Sequence, residues 1–185
     1  MAPGERPYCV QADVNRVITE EEFKIFYEQT STTLLAYLRR VTQDASLADD
    51  VFQEAYVRLL QRELRDRNPG AWKSYLFTSA TNLLRDHWRR AKKSVRWEDV
   101  GTTQTATDVA EDDVVARSSI EKAFARLSPH QRSLLWLAYV EAYSHKEIAE
   151  MLNLRQKSVK VLLFRARKEF SGALRSMGIR KEEVL

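Results

Sequence analysis

A chain of 185 residues, 44% of them hydrophobic, suffices for one ordinary domain or two small ones and can build a core, which excludes a disordered protein. The formal charge of +4 is modest, yet basic and acidic residues are segregated along the chain, and that segregation points to an anionic partner. No apolar run approaches the roughly 20 residues of a membrane span, the opening "MAPGERPYCVQADVN" lacks a signal-peptide core, and one cysteine cannot form an intramolecular disulfide, so a cytoplasmic protein with no membrane insertion is expected.

In chain order, residues 1–18 are expected to be a disordered extension in which Cys9 is an incidental thiol. Helical spacing then begins: Phe23, Phe26, Leu34, Leu38 and Val41 recur three or four apart, followed by Phe52, Ala55, Tyr56, Leu59 and Leu60. Asn68-Pro69-Gly70 ends one helix and starts another, with Trp72, Leu76, Ala80, Leu83, Leu84 and Trp88 along one face. Helix starts are read at Thr19/Glu22, Ser46/Asp49, Ser128/Gln131 and Ser144/Glu147, each a cap residue followed three positions later by an acid or amide. From 94 to 113 the ladder stops. "EDVGTTQTATDVAEDD" holds six acids and no base and reads as a linker. The expected fold is all-α: two small helical domains, 19–93 and 114–185, joined by a flexible acidic linker.

Residues 144–170 carry a helix-turn-helix. Ile148, Ala149 and Leu152 are the inner face of a short helix, and Val159, Leu162, Leu163, Ala166 and Phe170 that of a longer one; Asn153 between them tolerates a left-handed conformation. A second helix entering the major groove N-terminus first offers Arg155, Gln156, Lys157, Ser158 and Lys160 to base edges and phosphates, while Phe164, Arg165, Arg167 and Lys168 lie further along, where cations track the backbone. Residues 82–93 again set basic groups beside aromatics, the combination that unpaired bases require.

The chain here resembles the extracytoplasmic-function (ECF) sigma factors, the smallest members of the bacterial sigma-70 group. "DDVFQEAYVRLL" is similar to their core-polymerase-binding helix, "YLFTSATNLLRDHWRR" to the segment that reads and melts the promoter −10 element, and "KEIAEMLNLRQKSVKVLLFRARKEF" to the helix-turn-helix for the −35 element. The resemblance implies RNA polymerase contacts, to the beta-prime coiled coil and the beta subunit, through Asp49, Asp50, Gln53, Glu54 and Tyr56. It implies melted −10 DNA at Trp72, Tyr75, Asn82, Arg85, Asp86, Arg89, Arg90, Lys92 and Lys93, and double-stranded −35 DNA at the helix-turn-helix residues above. An anti-sigma factor is a further partner of the family. Tyr75, Ser79 and Asn153 stand where the family commonly has tryptophan, isoleucine and glycine, so promoter sequence does not carry over by analogy.

Two DNA readers need a tether, and about 20 linker residues at about 3.3 Å each reach roughly 65 Å, nearly two duplex turns. No catalysis, metal or cofactor is expected: His87, His130 and His145 are far apart, and His130 and His145 are read as surface residues near caps. The reading is a promoter-specificity factor. Its rival is a stand-alone regulator that binds an operator as a dimer; a helical adaptor that binds only protein leaves the basic helices without a purpose.

Overall fold

The computed structural model describes residues 18–62, 68–91 and 119–178, and these are helical throughout apart from short turns. Lys92, Lys93, the acidic stretch 94–113, Cys9 and the extension up to residue 17 lie outside the described residues. The helices are α1 (Glu20–Thr42), α2 (Ala45–Gln61), α3 (Pro69–Ala91), α4 (Ser119–Ala125), α5 (Pro129–Tyr139), α6 (His145–Leu152) and α7 (Gln156–Ser176).

Local chemistry sets most of the boundaries. Thr19, Ser128 and Ser144 each close a capping box, for instance Ser144 N–H to Glu147 Oε2 at 2.8 Å and Glu147 N–H to Ser144 Oγ at 3.3 Å, which satisfies two of the amides that a helix start leaves unpaired. The fourth expected start is displaced. Asp44, not Ser46, caps α2 by accepting from Leu47 N–H at 3.0 Å, because its carboxylate reaches the first turn two residues earlier. Pro69 needs no amide partner at the first position of α3, and Asn68 Oδ1 accepts from Gly70 N–H at 2.9 Å.

The first group of helices, α1 to α3, packs α2 against both α1 and α3. Its core holds Phe26, Leu34, Leu38, Val41, Ala55, Leu59, Leu76, Ala80 and Leu84, as the periodicity predicts, and Val51 besides, whereas Leu60 is exposed. In the second group α7 lies against α4, α5 and α6, burying Val159, Leu163 and Ala166 against Ile148, Ala149 and Leu152. His130 is buried rather than at the surface: it sits in the first turn of α5, 6% exposed, and burial lowers its pKa to about 4.

The sequence pattern carries no sign of one arrangement. The two groups dock directly, α1 on α5 and α3 on α6, and one continuous core runs through both.

Candidate nucleic-acid and polymerase interfaces

Along α7 the buried and exposed faces separate cleanly. Val159, Leu163 and Ala166 point inwards with Leu162 and Phe170 half-buried, and Arg155, Gln156, Lys157, Lys160, Phe164, Arg165, Arg167 and Lys168 are exposed, with Ser158 half-buried. None of those six cations makes an ion pair with another described residue, so their mutual repulsion is left unscreened by the chain itself. The approach to α7 is fixed by a Schellman turn. Asn153 lies at φ 54°, ψ 49°, its N–H reaching Glu150 O at 3.3 Å and the Leu154 N–H reaching Ala149 O at 2.8 Å. Arg155 takes the N-cap position without a side-chain cap bond; its side chain is exposed, and its carbonyl accepts from Ser158 N–H at 2.8 Å.

On α3, Asn82, Arg85, Asp86 and Arg89 fall three or four apart and share a face; the first three are half-buried and Arg89 is exposed, as is Arg90. Asp86 Oδ1 lies 3.5 Å from Arg89, a solvent-facing pair that orients the guanidinium more than it stabilises the helix. Trp72 and Tyr75 part company. Trp72 is 7% exposed and packs edge-on to Phe26 at 5.7 Å, a core residue and not a stacking platform for a base. Tyr75 is half-buried beneath the Arg62 guanidinium, 4.1 Å from the ring centroid.

On α2 the acids divide in the same way. Asp50, Gln53 and Glu54 are exposed and Asp49 half-buried; Asp49 pairs with Arg39 at 3.4 Å and Glu54 with Arg58 at 2.9 Å. Tyr56 is 5% exposed, its hydroxyl bonds Thr30 Oγ1 at 2.8 Å, and burial pushes that hydroxyl up to about 12. It therefore supports the surface from below. Its ring lies 5.0 Å from both Tyr27 and Phe52, of which the periodicity names only Phe52, and as an inner residue, although Tyr27 is exposed and Phe52 half-buried. A signal for Tyr27 exists too, because it follows Phe23 by four residues, as Tyr56 follows Phe52.

Two family descriptions match the chain in order: sigma-70 region 2 over residues 26–94 and sigma-70 region 4 over residues 117–170. The chain belongs to the sigma-70 family. The region 2 match takes in α2 and α3 with their acidic and basic faces, and the region 4 match takes in the helix-turn-helix. It is 27% identical over 159 residues to the ECF RNA polymerase sigma factor SigM of Bacillus subtilis, covering 84% of this chain and 96% of that one. The ECF RNA polymerase sigma factor SigL of Mycobacterium tuberculosis is 27% identical over 164 residues, with coverage of 84% and 90%. Both likenesses bear out the ECF resemblance read from the three motifs. The fold is also that of the sigma factor RpoE in its co-crystal with the anti-sigma factor NepR from Bartonella quintana, with a TM-score of 0.62, 20% identity and coverage of 84% and 98%. Among the described residues no helix is long and apolar enough to cross a membrane.

Proposed function

We propose that the chain is an RNA polymerase sigma factor that binds the core enzyme and directs initiation at particular promoters. Residues 19–93 would serve core binding and the −10 element, and 114–185 the −35 element, with 94–113 as the tether. The observation that carries the reading is that each family match coincides with a suitable face, exposed carboxylates on α2 in region 2 and, in region 4, a row of cations on α7 that pair with no described residue. Asp50, Gln53 and Glu54, with Tyr27 and Phe52 beside them, are the proposed polymerase contacts. Asn82, Arg85, Asp86 and Arg89 are proposed to meet the opened −10 strand, with Trp72 holding the helix from inside. An anti-sigma factor is a further partner in this proposal. The protein acts by placement and carries out no chemistry of its own.

The test is reconstitution. Mixed with core polymerase, the purified chain should co-elute and support run-off transcription from a subset of a promoter library. The double reversal Asp50→Lys with Glu54→Lys should abolish co-elution while helicity is kept. Normal co-elution of that variant would remove α2 as the contact. Tight, sequence-specific DNA binding as a dimer without polymerase would favour the operator-binding regulator instead.

A further inference from the structure

Arg62 caps the C-terminal end of α2, and neither the acidic face of that helix nor the basic face of α3 includes it. Its backbone leaves the helix in an extended conformation, φ −83° and ψ 132°, with its N–H bonded to Leu59 O at 3.3 Å. The side chain is exposed, pairs with no described acid and crosses to α3, where its guanidinium lies over the Tyr75 ring, 4.1 Å from the centroid. At an exposed site such a contact shifts an equilibrium by only about two- to fivefold, so as a tie between α2 and α3 it adds little to the core that already joins them. Its effect on geometry is larger. A long, mobile cation is held over a ring at one place on the surface.

That place continues the face proposed for the −10 strand. At about 100° per residue, Tyr75, Asn82, Asp86 and Arg89 fall within about 60° of one another around α3, so Tyr75 extends the face by about 10 Å towards the start of the helix. Lys73 and Phe77, each two residues from Tyr75, lie on the other side, where Lys73 Nζ is 2.7 Å from Glu141 Oε2 and the Phe77 ring is 6.0 Å from that of Tyr143. Tyr37 of α1 crosses the same boundary, donating to Ser133 Oγ at 3.2 Å. The second group of helices thus takes the side of α3 opposite Tyr75.

Unpaired bases stack on aromatic rings and on guanidinium planes alike, whereas a lysine ammonium offers no plane. A guanidinium with one face on a ring can receive a base on the other and still direct its edge N–H groups to an adjoining phosphate. Ring, cation and base then form three layers, and no group has to leave for the base to enter.

We propose that Arg62, held over Tyr75, is a stacking residue for one unpaired base of the −10 strand. This rests on the −10 role proposed for α3 and adds to it a residue supplied by α2.

The experiment uses the full chain with core polymerase on a promoter whose −10 element is opened by mismatches, with 2-aminopurine placed at successive positions of the unpaired strand; its fluorescence falls when the probe stacks. The parent should quench the probe at one position. Arg62→Lys keeps the charge and loses the plane, so that quench should disappear while the salt slope stays. Arg62→Ala should lose the quench and also lower the salt slope by about 0.7, the value of one phosphate on a single strand. Both should weaken binding to the opened promoter by about five- to a hundredfold, the range of one stacked base. Tyr75→Phe keeps the ring and should match the parent, whereas Tyr75→Leu should behave as Arg62→Lys does. Circular dichroism checks helicity, and if Tyr75→Leu loses it, the exposed Arg62 variants carry the test. A parent-like quench and affinity in Arg62→Lys would reduce the contact to a tie between α2 and α3 and overturn the proposal. Run-off transcription by the parent tests the sigma reading separately: a chain that programmes no promoter sinks that reading, and the same probe in a free single-stranded oligonucleotide then still decides on Arg62.

Discussion

Asn153 shows how one residue serves both the fold and the proposed DNA contact. Its backbone angles of φ 54° and ψ 49° turn the chain from α6 into α7, and asparagine tolerates them where a larger or branched side chain would not. Asn153→Ala should therefore lower stability by about 1 kcal/mol, whereas Asn153→Gly, which relieves the strain but adds freedom to the unfolded chain, should stay close to the parent. Urea denaturation followed by helicity checks both, and an alanine variant as stable as the parent would show that the turn does not constrain the chain. This position is legible because local backbone chemistry alone decides it. For Trp72 and Tyr56 the sequence supports two roles, since each falls on the apolar ladder of its helix and also in a motif that resembles a contact surface, and the packing of Phe26 on one and Thr30 on the other decides for the interior. His130 departs from its expected surface position for the same reason. A residue just after a cap looks like surface until a neighbouring helix covers it.

At the scale of the helix, legibility follows range. Three capping boxes and the inner faces of α1, α2, α3 and α7 depend on contacts within one turn or on period alone, and the sequence shows them. The start of α2 escapes it because Asp44 and Ser46 are both good cap residues two positions apart, and the choice between them depends on how α1 ends at Gln43, which lies at φ 60°. The exposed row on α7 supports a prediction at this scale. Arg155 and Lys157 lie at the end that a groove-docked helix points inwards, while Arg167 and Lys168 lie about three turns later. Arg155→Ala or Lys157→Ala in the full chain with core polymerase should change preference among −35 sequences. Arg167→Ala or Lys168→Ala should weaken all sequences alike and lower the salt slope by about one unit for each phosphate no longer neutralised. Binding to a panel of duplexes at several salt concentrations separates the cases. The same sequence-independent weakening from Arg155→Ala and Arg167→Ala would reduce α7 to an electrostatic anchor.

Over the whole molecule, the two helical groups and their all-α character are readable from the sequence, and their docking is not. Lys73 and Glu141 look like ordinary solvated charges, and Ser133 and Tyr37 like any polar side chain on a helix; nothing within a turn of any of them names a partner 68 or 96 residues away. Because one core passes through both halves, the free chain should unfold in a single cooperative step, with calorimetric and van't Hoff enthalpies in agreement. Two separate transitions would mean that the halves are stable independently. The shared core has a further consequence, for inheritance. A sigma factor whose halves touch only DNA and polymerase could exchange one half with a relative and keep working, as interchangeable parts do. Here Tyr37 must find a hydroxyl at position 133 and Lys73 an acid at position 141, so each half constrains what the other can become. Drift in one inner face has to be matched in the other, and a chimera assembled from two relatives would inherit both DNA preferences but not the fit between its own halves.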